Sequence, residues 1–576
     1  MFSKLLEFIL HQRFLILLLG GITLVLGGMA WVWLPIDAFP DVTNVQVMIL
    51  TDAEGLSPGE VERLITFPIE TEMSGLPDVR QVRSLSQSGL SQVVVIFKDR
   101  VDTYFARQLV FERLTAARGQ LPDGVEPEMG PISTGLGEIY QYTVESGYYC
   151  PSHPSAWSAG PSTCPECGTP MLAANVDLMQ RRTIQEWLIA PQLRRLPGIN
   201  EVNSMGGFVR QFHVIVDPDR LLKFGVSLRD CIEAIQANNR NAGAGFIVKD
   251  FEQMNVVAQG LLRDANDIEH IAIKASGGTP VYLRDIADVR IAGQVRSGAA
   301  SRDGRGETVI GMAIMLKGEN SKRVVDRVKQ EIPEIQKSLP PGVRIVPFYD
   351  RTDLIAACVR TVGTALAQGG IFVILVLFVL LWDLRAALTV ALSLPLTAAG
   401  AFLLMDGWNV TANLMSLGGL AIAIGMVVDA AIIVTENITR HMGRRDQAAQ
   451  TRAEIAHAAV REVARPVTFA VLTMVIVFVP LFTLESLEGK MFKPLALTVC
   501  FALISSLAVS LTVVPVVAAM ITRRKARDIH DNPLVRLFHC VHMPALRLAI
   551  EGRWITVAVA AAIMVGAVSM LSLIHI

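Results

Sequence analysis

The chain has 576 residues, with 52 Lys and Arg against 53 Asp and Glu, so its net charge of −1 excludes a nucleic-acid binder that relies on bulk positive charge. Apolar residues make up 51% of the chain, charged residues only 18%, and the mean hydropathy is +0.43. Soluble proteins carry about 25% charged residues, so the long uncharged runs of this chain indicate a membrane protein. Seven cysteines in this length exclude a disulfide scaffold.

Seven apolar runs are close to the length of about 20 residues that a helix needs to span a bilayer. The first run begins near the N-terminus and is longer than the apolar part of a secretory signal peptide, so we expect an uncleaved signal anchor. The predicted spans are Phe14–Leu34, Val362–Trp382, Ala386–Met405, Leu414–Val434, Val467–Leu484, Pro494–Ile521 and Ile555–Leu573.

Basic residues in two loops predict the orientation in the membrane. The loop after the fourth span carries several arginines, among them Arg444 and Arg445, and the stretch after the sixth span is basic from Arg523 onward. Loops rich in Lys and Arg lie in the cytoplasm, so the N-terminus is expected there and the segment Pro35–Ala356 outside. Asn532–Arg547 mixes apolar with basic residues and is predicted to be an amphipathic helix on the cytoplasmic surface.

The large outer segment alternates strand and helix signals. Asn44–Leu50 reads as a strand, Ser57–Met73 as a helix, Val79–Gln87 with Ser91–Phe97 as a hairpin, and Thr103–Ala117 as a second helix. This is the order of a split β-α-β unit. The predicted fold class is therefore an α-helical membrane bundle with a large outer α+β domain built from ferredoxin-like split β-α-β subdomains.

An internal duplication is visible in the same segment. Leu76-Pro77-Asp78-Val79 is echoed by Leu196-Pro197-Gly198-Ile199, and each motif is followed by a predicted strand pair that ends in a charged turn, the second at Asp217-Pro218-Asp219. A third strand–helix unit runs from Thr308 to Ser338. The repeat predicts two or more small α+β subdomains on one outer loop.

The fourth span contains a carboxylate inside an otherwise apolar helix. Asp429 lies in its middle, and Glu436, seven residues later, shares its helix face. A charge in the bilayer costs at least about 2.5–3.5 kcal/mol, so ionisable residues there usually mark an ion or proton path. Glu436 could alternatively lie at the cytoplasmic interface, and either acid could simply bond a neighbouring helix.

The stretch Gly418–Asn437 resembles the fourth transmembrane helix of resistance–nodulation–division (RND) transporters, in particular of their heavy-metal efflux branch, the CusA/CzcA type. Further matching stretches are Leu34–Asp41, Tyr282–Val289, Tyr349–Arg351 and Phe492–Ala496.

This resemblance implies a homotrimeric inner-membrane cation/proton antiporter, which is a secondary active transporter and not an enzyme. It further implies a periplasmic adaptor (membrane fusion) protein, an outer-membrane channel, and a periplasmic porter and docking domain. Transport would need no cofactor. By the matching motif, Asp429 and Glu436 resemble the proton-relay acids.

The exported ion stays open between two classes. In the divalent-cation branch a further Asp usually stands six residues before the Asp429 position, where this chain has Ala423. Copper or silver is therefore expected before zinc, cobalt or cadmium. Copper and silver pumps also place Met around this helix, whereas this chain has Val427 and Val434 beside the relay. Met426 and Met474 lie nearby but are interpreted as packing residues.

A short Cys/His ribbon, Tyr148–Leu172, interrupts the family pattern. Cys150 and His153 form one knuckle and Cys164 and Cys167 a second, a C-x₂-H and C-x₂-C spacing. Three thiolates and one imidazole in a tetrahedron suit Zn²⁺, and soft thiolates would also hold Cu(I). A disulfide in an oxidising compartment is the alternative.

The ribbon resembles the short heavy-metal-binding domain found in copper transporters and in adaptor proteins of such systems. That family commonly has Met at the positions of Ser152 and Thr169, and the change weakens the case for Cu(I) capture. A structural Zn²⁺ and a delivery site for the exported ion both stay open. The remaining cysteines are expected to be packing residues: Cys231, Cys358, Cys500 and Cys540.

Other motifs restrict the energy source and the entry path. Asp37, Asp41 and Asp52 follow the first span, where a solvated turn is favoured over a metal-entry role. The sequence has no Walker motif, nucleophile elbow or kinase signature, so ATP is not expected to drive transport within this chain.

The RND pattern has two similar halves of six spans, and this sequence is expected to be an N-terminal half with the start of the seventh span. The relay partners and binding cleft of a second half would then be missing. Leu571–Ile576 resembles a translated sequencing adapter and is expected to be an artefact.

The predicted domains are the first span (1–34), the porter and docking domain (35–356, with the ribbon at 147–172), spans two to six (357–521), a cytoplasmic linker helix (522–553), the start of span seven (554–570) and the adapter (571–576).

Two alternatives to a heavy-metal exporter were weighed. A multidrug RND pump differs in its substrate class. Both the Cys/His insert and the amino-acid sequence of the fourth span argue against it. A membrane-tethered metal-binding or sensor module belongs to another class. It predicts stoichiometric metal on the outer segment without proton-coupled flux.

Overall fold

A computed structural model describes residues 2–132, 135–153, 155–276, 279–296, 298–381, 383–443, 451–522 and 533–573. Arg444 and Arg445 of the predicted basic loop, residues 523–532 of the predicted basic stretch, and the last three residues of the expected adapter lie outside these ranges. The chain forms two compact units: residues 1–130, 320–322 and 352–576 make the first, and residues 131–319 and 323–351 the second.

The first unit opens with two helices and continues into a small α+β subdomain. Its four strands are hydrogen-bonded in the order β2-β3-β1-β4, with all pairs antiparallel. This is the predicted split β-α-β arrangement, and Val47, Ile49, Val93 and Val95 are fully buried under its helices. The elements are α1 (Phe2–His11), α2 (Arg13–Trp33), β1 (Gln46–Asp52), α3 (Pro58–Val61), α4 (Phe67–Ser74), β2 (Val79–Gln87), β3 (Leu90–Phe97), α5 (Thr103–Arg118) and β4 (Pro127–Met129).

The second unit repeats this topology with two insertions. Its main sheet has the order β17-β5-β16-β9, which matches the first subdomain strand for strand. The elements are β5 (Glu138–Ser146), β6 (Tyr148–Tyr149), β7 (Trp157–Ser158), β8 (Leu172–Ala173), α6 (Leu178–Ile184), α7 (Ala190–Arg194), β9 (Ile199–Met205), β10 (Arg210–Val216), α8 (Pro218–Phe224), α9 (Leu228–Asn238), β11 (Ala242–Lys249), β12 (Glu252–Ala258), α10 (Ala265–Glu269), β13 (Ala272–Ser276), β14 (Thr279–Tyr282), α11 (Leu283–Ile286), β15 (Ala287–Gly293), β16 (Val309–Met315), α12 (Ser321–Lys337) and β17 (Val343–Asp350).

The predicted duplication is therefore present, but one predicted strand pairing is wrong. The strand after Leu196-Pro197 is β9, and its hairpin partner is β16, not β10. β10 instead pairs with β15 in a separate two-stranded sheet. The insertion lies between β9 and its partner β16. It has its own small hydrophobic core around Leu283 and Ile286.

The remaining elements of the chain are long helices: α13 (Arg351–Leu381), α14 (Leu384–Gly407), α15 (Leu414–Met442), α16 (Arg452–Phe478), α17 (Ser486–Ile521), α18 (Pro533–Glu551) and α19 (Arg553–Leu573). Among the described residues, seven helices are long and apolar enough to cross a membrane, and they match the seven predicted spans. α18 covers the predicted amphipathic helix.

Several helices extend beyond the apolar runs that predicted them. α16 begins at Arg452, where the Thr451 hydroxyl accepts the Glu454 backbone N–H, and continues through Arg461 and Arg465, which precede the predicted fifth span. α15 likewise begins at a cap, Asn413, and runs to Met442. Hydropathy defined the membrane-embedded length, whereas capping side chains set where the helices begin.

Candidate metal centre and membrane carboxylates

The Cys/His ribbon is a three-stranded sheet with two turns that carry its candidate ligands. β6 pairs with both β7 and β8, in the order β7-β6-β8. The first turn is closed by the His153 N–H, which donates to the Cys150 carbonyl at 3.2 Å. The second is closed by the Gly168 N–H, which donates to the Cys164 carbonyl at 2.8 Å, with Gly168 at a φ of +71°. Both turns therefore present the cysteines and histidine from short backbone loops.

The four predicted ligands converge on one point. The ligand atoms of Cys150, His153, Cys164 and Cys167 all lie within 4.8 Å of one another, and this is the only such group among the described His, Cys, Asp and Glu residues. Cys150 Sγ is 3.6 Å from Cys167 Sγ, and His153 Nδ1 is 3.6 Å from Cys164 Sγ. Sulfur ligands at about 2.3 Å from Zn²⁺ stand about 3.8 Å apart in a tetrahedron, so these side chains fit a tetrahedral soft-metal site.

Local hydrogen bonds favour the thiolate, the metal-binding form, at two of the three cysteines, Cys150 and Cys167. The Thr169 hydroxyl, 2.9 Å from Cys167 Sγ, is the main cause that lowers the pKa of Cys167 to about 6. Burial acts to raise the pKa of Cys150, but its contact with His153 outweighs that effect and the pKa is lowered. Burial raises the pKa of Cys164. A thiolate is the form that binds metal, so Cys167 is already prepared for it near neutral pH.

Two supporting residues of this centre were not identified from the sequence. Glu166 Oε2 lies 3.6 Å from His153 Nε2, the ring nitrogen that faces away from the sulfurs, and such a carboxylate orients a ligating histidine. Thr169 stands where the resembled family commonly has Met, and that position does not by itself indicate the contact with Cys167. Glu166 lies inside the motif Cys164-Pro165-Glu166-Cys167, so the sequence does show a carboxylate next to the candidate ligands.

The cysteines outside the ribbon differ in how deeply they are buried. All seven cysteines lie in the described part of the chain and are free thiols. Cys231 and Cys500 are buried, as predicted for packing residues, and Cys358 is half-buried. Cys540 is exposed on α18, so the packing role predicted for it is wrong.

Asp429 and Glu436 lie on one open face of α15. Both side chains are exposed, and Ile422, Gly425 and Ile433 continue the same exposed stripe. A neighbouring side of the helix is packed tightly against α17, where a Cβ at Gly419 would stand 2.7 Å from the Leu495 carbonyl oxygen. The predicted shared face of the two acids is thus present.

The positions next to these acids differ in environment. Ala423, Val427 and Val434 are buried on the packed side of α15, so an acid at Ala423 would not share the open face of Asp429. Met426 and Met474 are partly buried in one apolar cluster, in agreement with a packing role.

A polar network at the end of α15 was not predicted. His441 Nε2 lies 2.8 Å from Glu462 Oε2 on α16, and the Asn437 amide donates to the same carboxylate at 3.2 Å. The Arg440 guanidinium donates to Asn437 Oδ1 at 2.7 Å. Arg440 lies on α15 and Glu462 on α16, and their contact depends on the tertiary packing of the two helices.

The three acids after the first span lie in different settings. The Asp37 carboxylate accepts the Ala38 N–H at 2.7 Å and the Ser321 hydroxyl at 3.0 Å, and Asp41 accepts the Thr43 N–H at 2.9 Å. Asp52 is exposed at the end of β1. Among the described residues they belong to no cluster of metal-ligating side chains.

Comparison with known proteins places this geometry in context. Residues 5–575 match the model of the AcrB/AcrD/AcrF family. The chain is 42% identical to the cobalt-zinc-cadmium resistance protein CzcA of Cupriavidus metallidurans, over 90% of this chain and 48% of that protein. It is 41% identical to protein HelA of Legionella pneumophila, over 98% of this chain and 52% of that protein.

A solved structure is similar throughout. The crystal structure of a heavy metal efflux pump, crystal form I, superimposes with a TM-score of 0.80 at 32% identity and covers 98% of this chain and 52% of that one. The chain spans about half the length of the curated relatives it matches.

Proposed function

Because the chain belongs to the AcrB/AcrD/AcrF family, within the heavy-metal efflux branch of the RND transporters, we propose that it serves in the proton-driven export of heavy-metal cations. The family resemblance predicted from the sequence is confirmed, and so is the predicted fold class. Members of this family are transporters, so the proposed activity is cation/proton antiport and not an enzymatic reaction.

The observation that carries the proposal is the open stripe of α15. Asp429 stands in the middle of a 29-residue apolar helix, and Glu436 lies two turns further on the same exposed face. A carboxylate in a low-dielectric setting gains stability by taking up a proton and loses it by ionising, so it is suited to alternate protonation. We assign Asp429 as the central proton carrier and Glu436 as the next carrier towards the end of the helix.

The Cys/His ribbon is proposed as a resident metal site. The residues fit Zn²⁺ or Cu(I), since three sulfurs and one imidazole nitrogen approach tetrahedral spacing. A bound ion would cross-link the two turns. Thr169 and Glu166 would support two of its ligands, the first by stabilising the Cys167 thiolate and the second by orienting His153.

For the exported ion we propose copper(I) or silver(I), on the argument that Ala423 stands where the divalent-cation branch carries an acid. The second candidate is zinc, cobalt or cadmium, which the 42% identity to a protein described as a cobalt-zinc-cadmium resistance protein favours. The two classes differ in ligand preference, because soft cations bind sulfur and divalent zinc also accepts nitrogen and oxygen.

The assembly and placement follow from the family. We propose a bacterial inner-membrane location with the N-terminus in the cytoplasm and the residues between the first two spans in the periplasm. We further propose a homotrimer that works with a periplasmic adaptor protein and an outer-membrane channel.

Growth on metals tests this function. Cells that depend on the native pump are exposed to copper, silver, zinc, cobalt and cadmium, with wild-type protein, Asp429→Asn, and Asp406→Asn as the matched control outside the acid stripe. We expect Asp429→Asn to abolish resistance at unchanged expression and Asp406→Asn to retain it. Undiminished resistance of Asp429→Asn would refute the relay assignment, and the metals tolerated by wild type identify the exported ion.

A further inference from the structure

The ribbon is fastened to one backbone turn of its own unit, Leu339–Gly342, which connects α12 to β17. The Gly147 N–H donates to the Gly342 carbonyl at 2.9 Å, and the Trp157 Nε1–H donates to the same oxygen at 3.1 Å. The Arg344 guanidinium lies 5.6 Å from the centroid of the Trp157 ring. Two donors of the ribbon therefore meet on a single carbonyl of the turn.

The contact at Gly342 leaves no space for a side chain. Gly342 has a φ of +79°, and a Cβ there would stand 2.3 Å from Ala174 Cβ and 2.9 Å from the Tyr149 ring. The ribbon therefore packs directly on the turn backbone, and the position requires glycine for both its conformation and its packing.

The candidate ligands are joined to this contact by very short segments. The two residues of β6 separate Gly147, which contacts the turn, from Cys150, which is a candidate ligand. β8 leaves the second ligand turn, pairs with β6, and ends where the Ala174 N–H donates to the Gly147 carbonyl at 2.9 Å. A change in order at the ligands thus reaches Gly342 through only a few residues.

The ribbon depends on its ligand cluster for order. Its core consists of Cys150, Ala156, Cys164 and Met171, with Tyr148 packed against it, so two of the four buried residues are candidate ligands. Strands of two residues around so small a core do not hold together without a cross-link, and small metal-binding domains typically fold as they bind metal.

Space beside the contact permits movement. A cavity of about 790 Å³ lies between the ribbon and the turn and is lined by residues of both, including Cys150, Trp157, Pro340 and Ile345. The ribbon is thus held at discrete points and not across a continuous dry interface. Loss of order in the ribbon would release those points without disrupting the main sheet.

Resting on the proposed metal site, we propose that the ribbon is a metal sensor of the transporter. Metal loading orders the ribbon and thereby fixes the Leu339–Gly342 turn. β17 follows this turn and continues directly into α13, a candidate membrane span, so metal occupancy is reported along the chain towards the membrane.

Hydrogen exchange on the full chain in detergent tests this. Wild type, Trp157→Phe and the control Trp187→Phe are compared without metal and with Zn²⁺ or Cu(I), and bound metal is counted in the same samples by mass spectrometry. Trp157→Phe keeps an aromatic ring but removes the indole N–H that donates to the Gly342 carbonyl, whereas Trp187 is 80% exposed in the same unit. The reporting amides are those of Val343, which donates to the Pro340 carbonyl, and Ile345, which donates to Gln336 Oε1.

We expect metal to slow exchange of these amides about fivefold or more in wild type and Trp187→Phe, and clearly less in Trp157→Phe at equal metal content. Stoichiometric metal with unchanged exchange in wild type would overturn the sensor and leave the metal site intact. Equal slowing in Trp157→Phe would overturn transmission through the Trp157 bond and leave the Gly147 N–H, the other donor to the Gly342 carbonyl, as the link. Absence of bound metal with both ions would refute the metal site and the sensor together.

Discussion

Replacement of Gly419 by alanine tests how α15 is oriented. The added Cβ would stand 2.7 Å from the Leu495 carbonyl oxygen and 3.3 Å from its Cα, both backbone atoms of α17 that cannot rotate away. Forcing such a contact costs about 1–3 kcal/mol through backbone shifts. Gly418 is the matched control on the adjacent position of the same helix, since a Cβ there meets no atom within 4 Å.

The assay is the thermal unfolding midpoint of the purified chain in detergent. We expect Gly419→Ala to lower the midpoint clearly. Gly418→Ala should leave it unchanged or raise it slightly, because alanine favours a helix over glycine by about 1 kcal/mol. Equal midpoints for the two variants would refute the close contact between α15 and α17 at Gly419.

Three further predictions concern the parts of the chain outside this contact. Cys164→Ser should lose the metal equivalent of the ribbon, measured by mass spectrometry after exposure to Zn²⁺ under reducing conditions; retained metal would contradict the four-ligand site. Arg296 binds Glu307 through bonds of 2.6 and 2.7 Å, and this hydrogen bonding lowers the pKa of Glu307 below 4.5. Glu307→Gln should therefore unfold more readily than wild type above pH 4.5, and the difference should vanish as the pH falls through the lowered pKa; a difference that persists in acid would contradict the ion pair. Lys490 Nζ donates to the Thr43 carbonyl at 2.9 Å and pairs with Asp99 at 2.7 Å. Lys490→Met removes both bonds and should destabilise the chain by about 1–3 kcal/mol, measured in the same thermal assay. An unchanged midpoint would show that these bonds contribute nothing to stability.

Patterns that depend on one segment were predictable from the sequence. The seven spans follow from hydropathy alone, because a bilayer demands an apolar stretch of fixed length. The shared face of Asp429 and Glu436 follows from helix periodicity. The ribbon ligands follow from their two-residue spacing, which places two side chains on one tight turn.

Features that depend on tertiary packing were not predictable. β9 was expected to pair with the next strand, β10, but its partner β16 lies beyond an insertion of about a hundred residues, and local pattern cannot show such a pairing. The His441–Glu462 contact joins two helices, and no spacing rule connects them. Gly342 follows Leu339-Pro340-Pro341, a pattern typical of a helix end, and this local pattern cannot show that the ribbon packs on it.

The most direct test of the account is proton movement in liposomes that contain the native pump. A gradient of the transported metal is applied, and internal pH is followed with a dye for wild type, Asp429→Asn and Asp406→Asn. We predict metal-driven proton flux in wild type and Asp406→Asn and none in Asp429→Asn, with metal on the ribbon unchanged in all three. Proton flux in Asp429→Asn equal to that of wild type would contradict the proposal that the open face of α15 carries the proton.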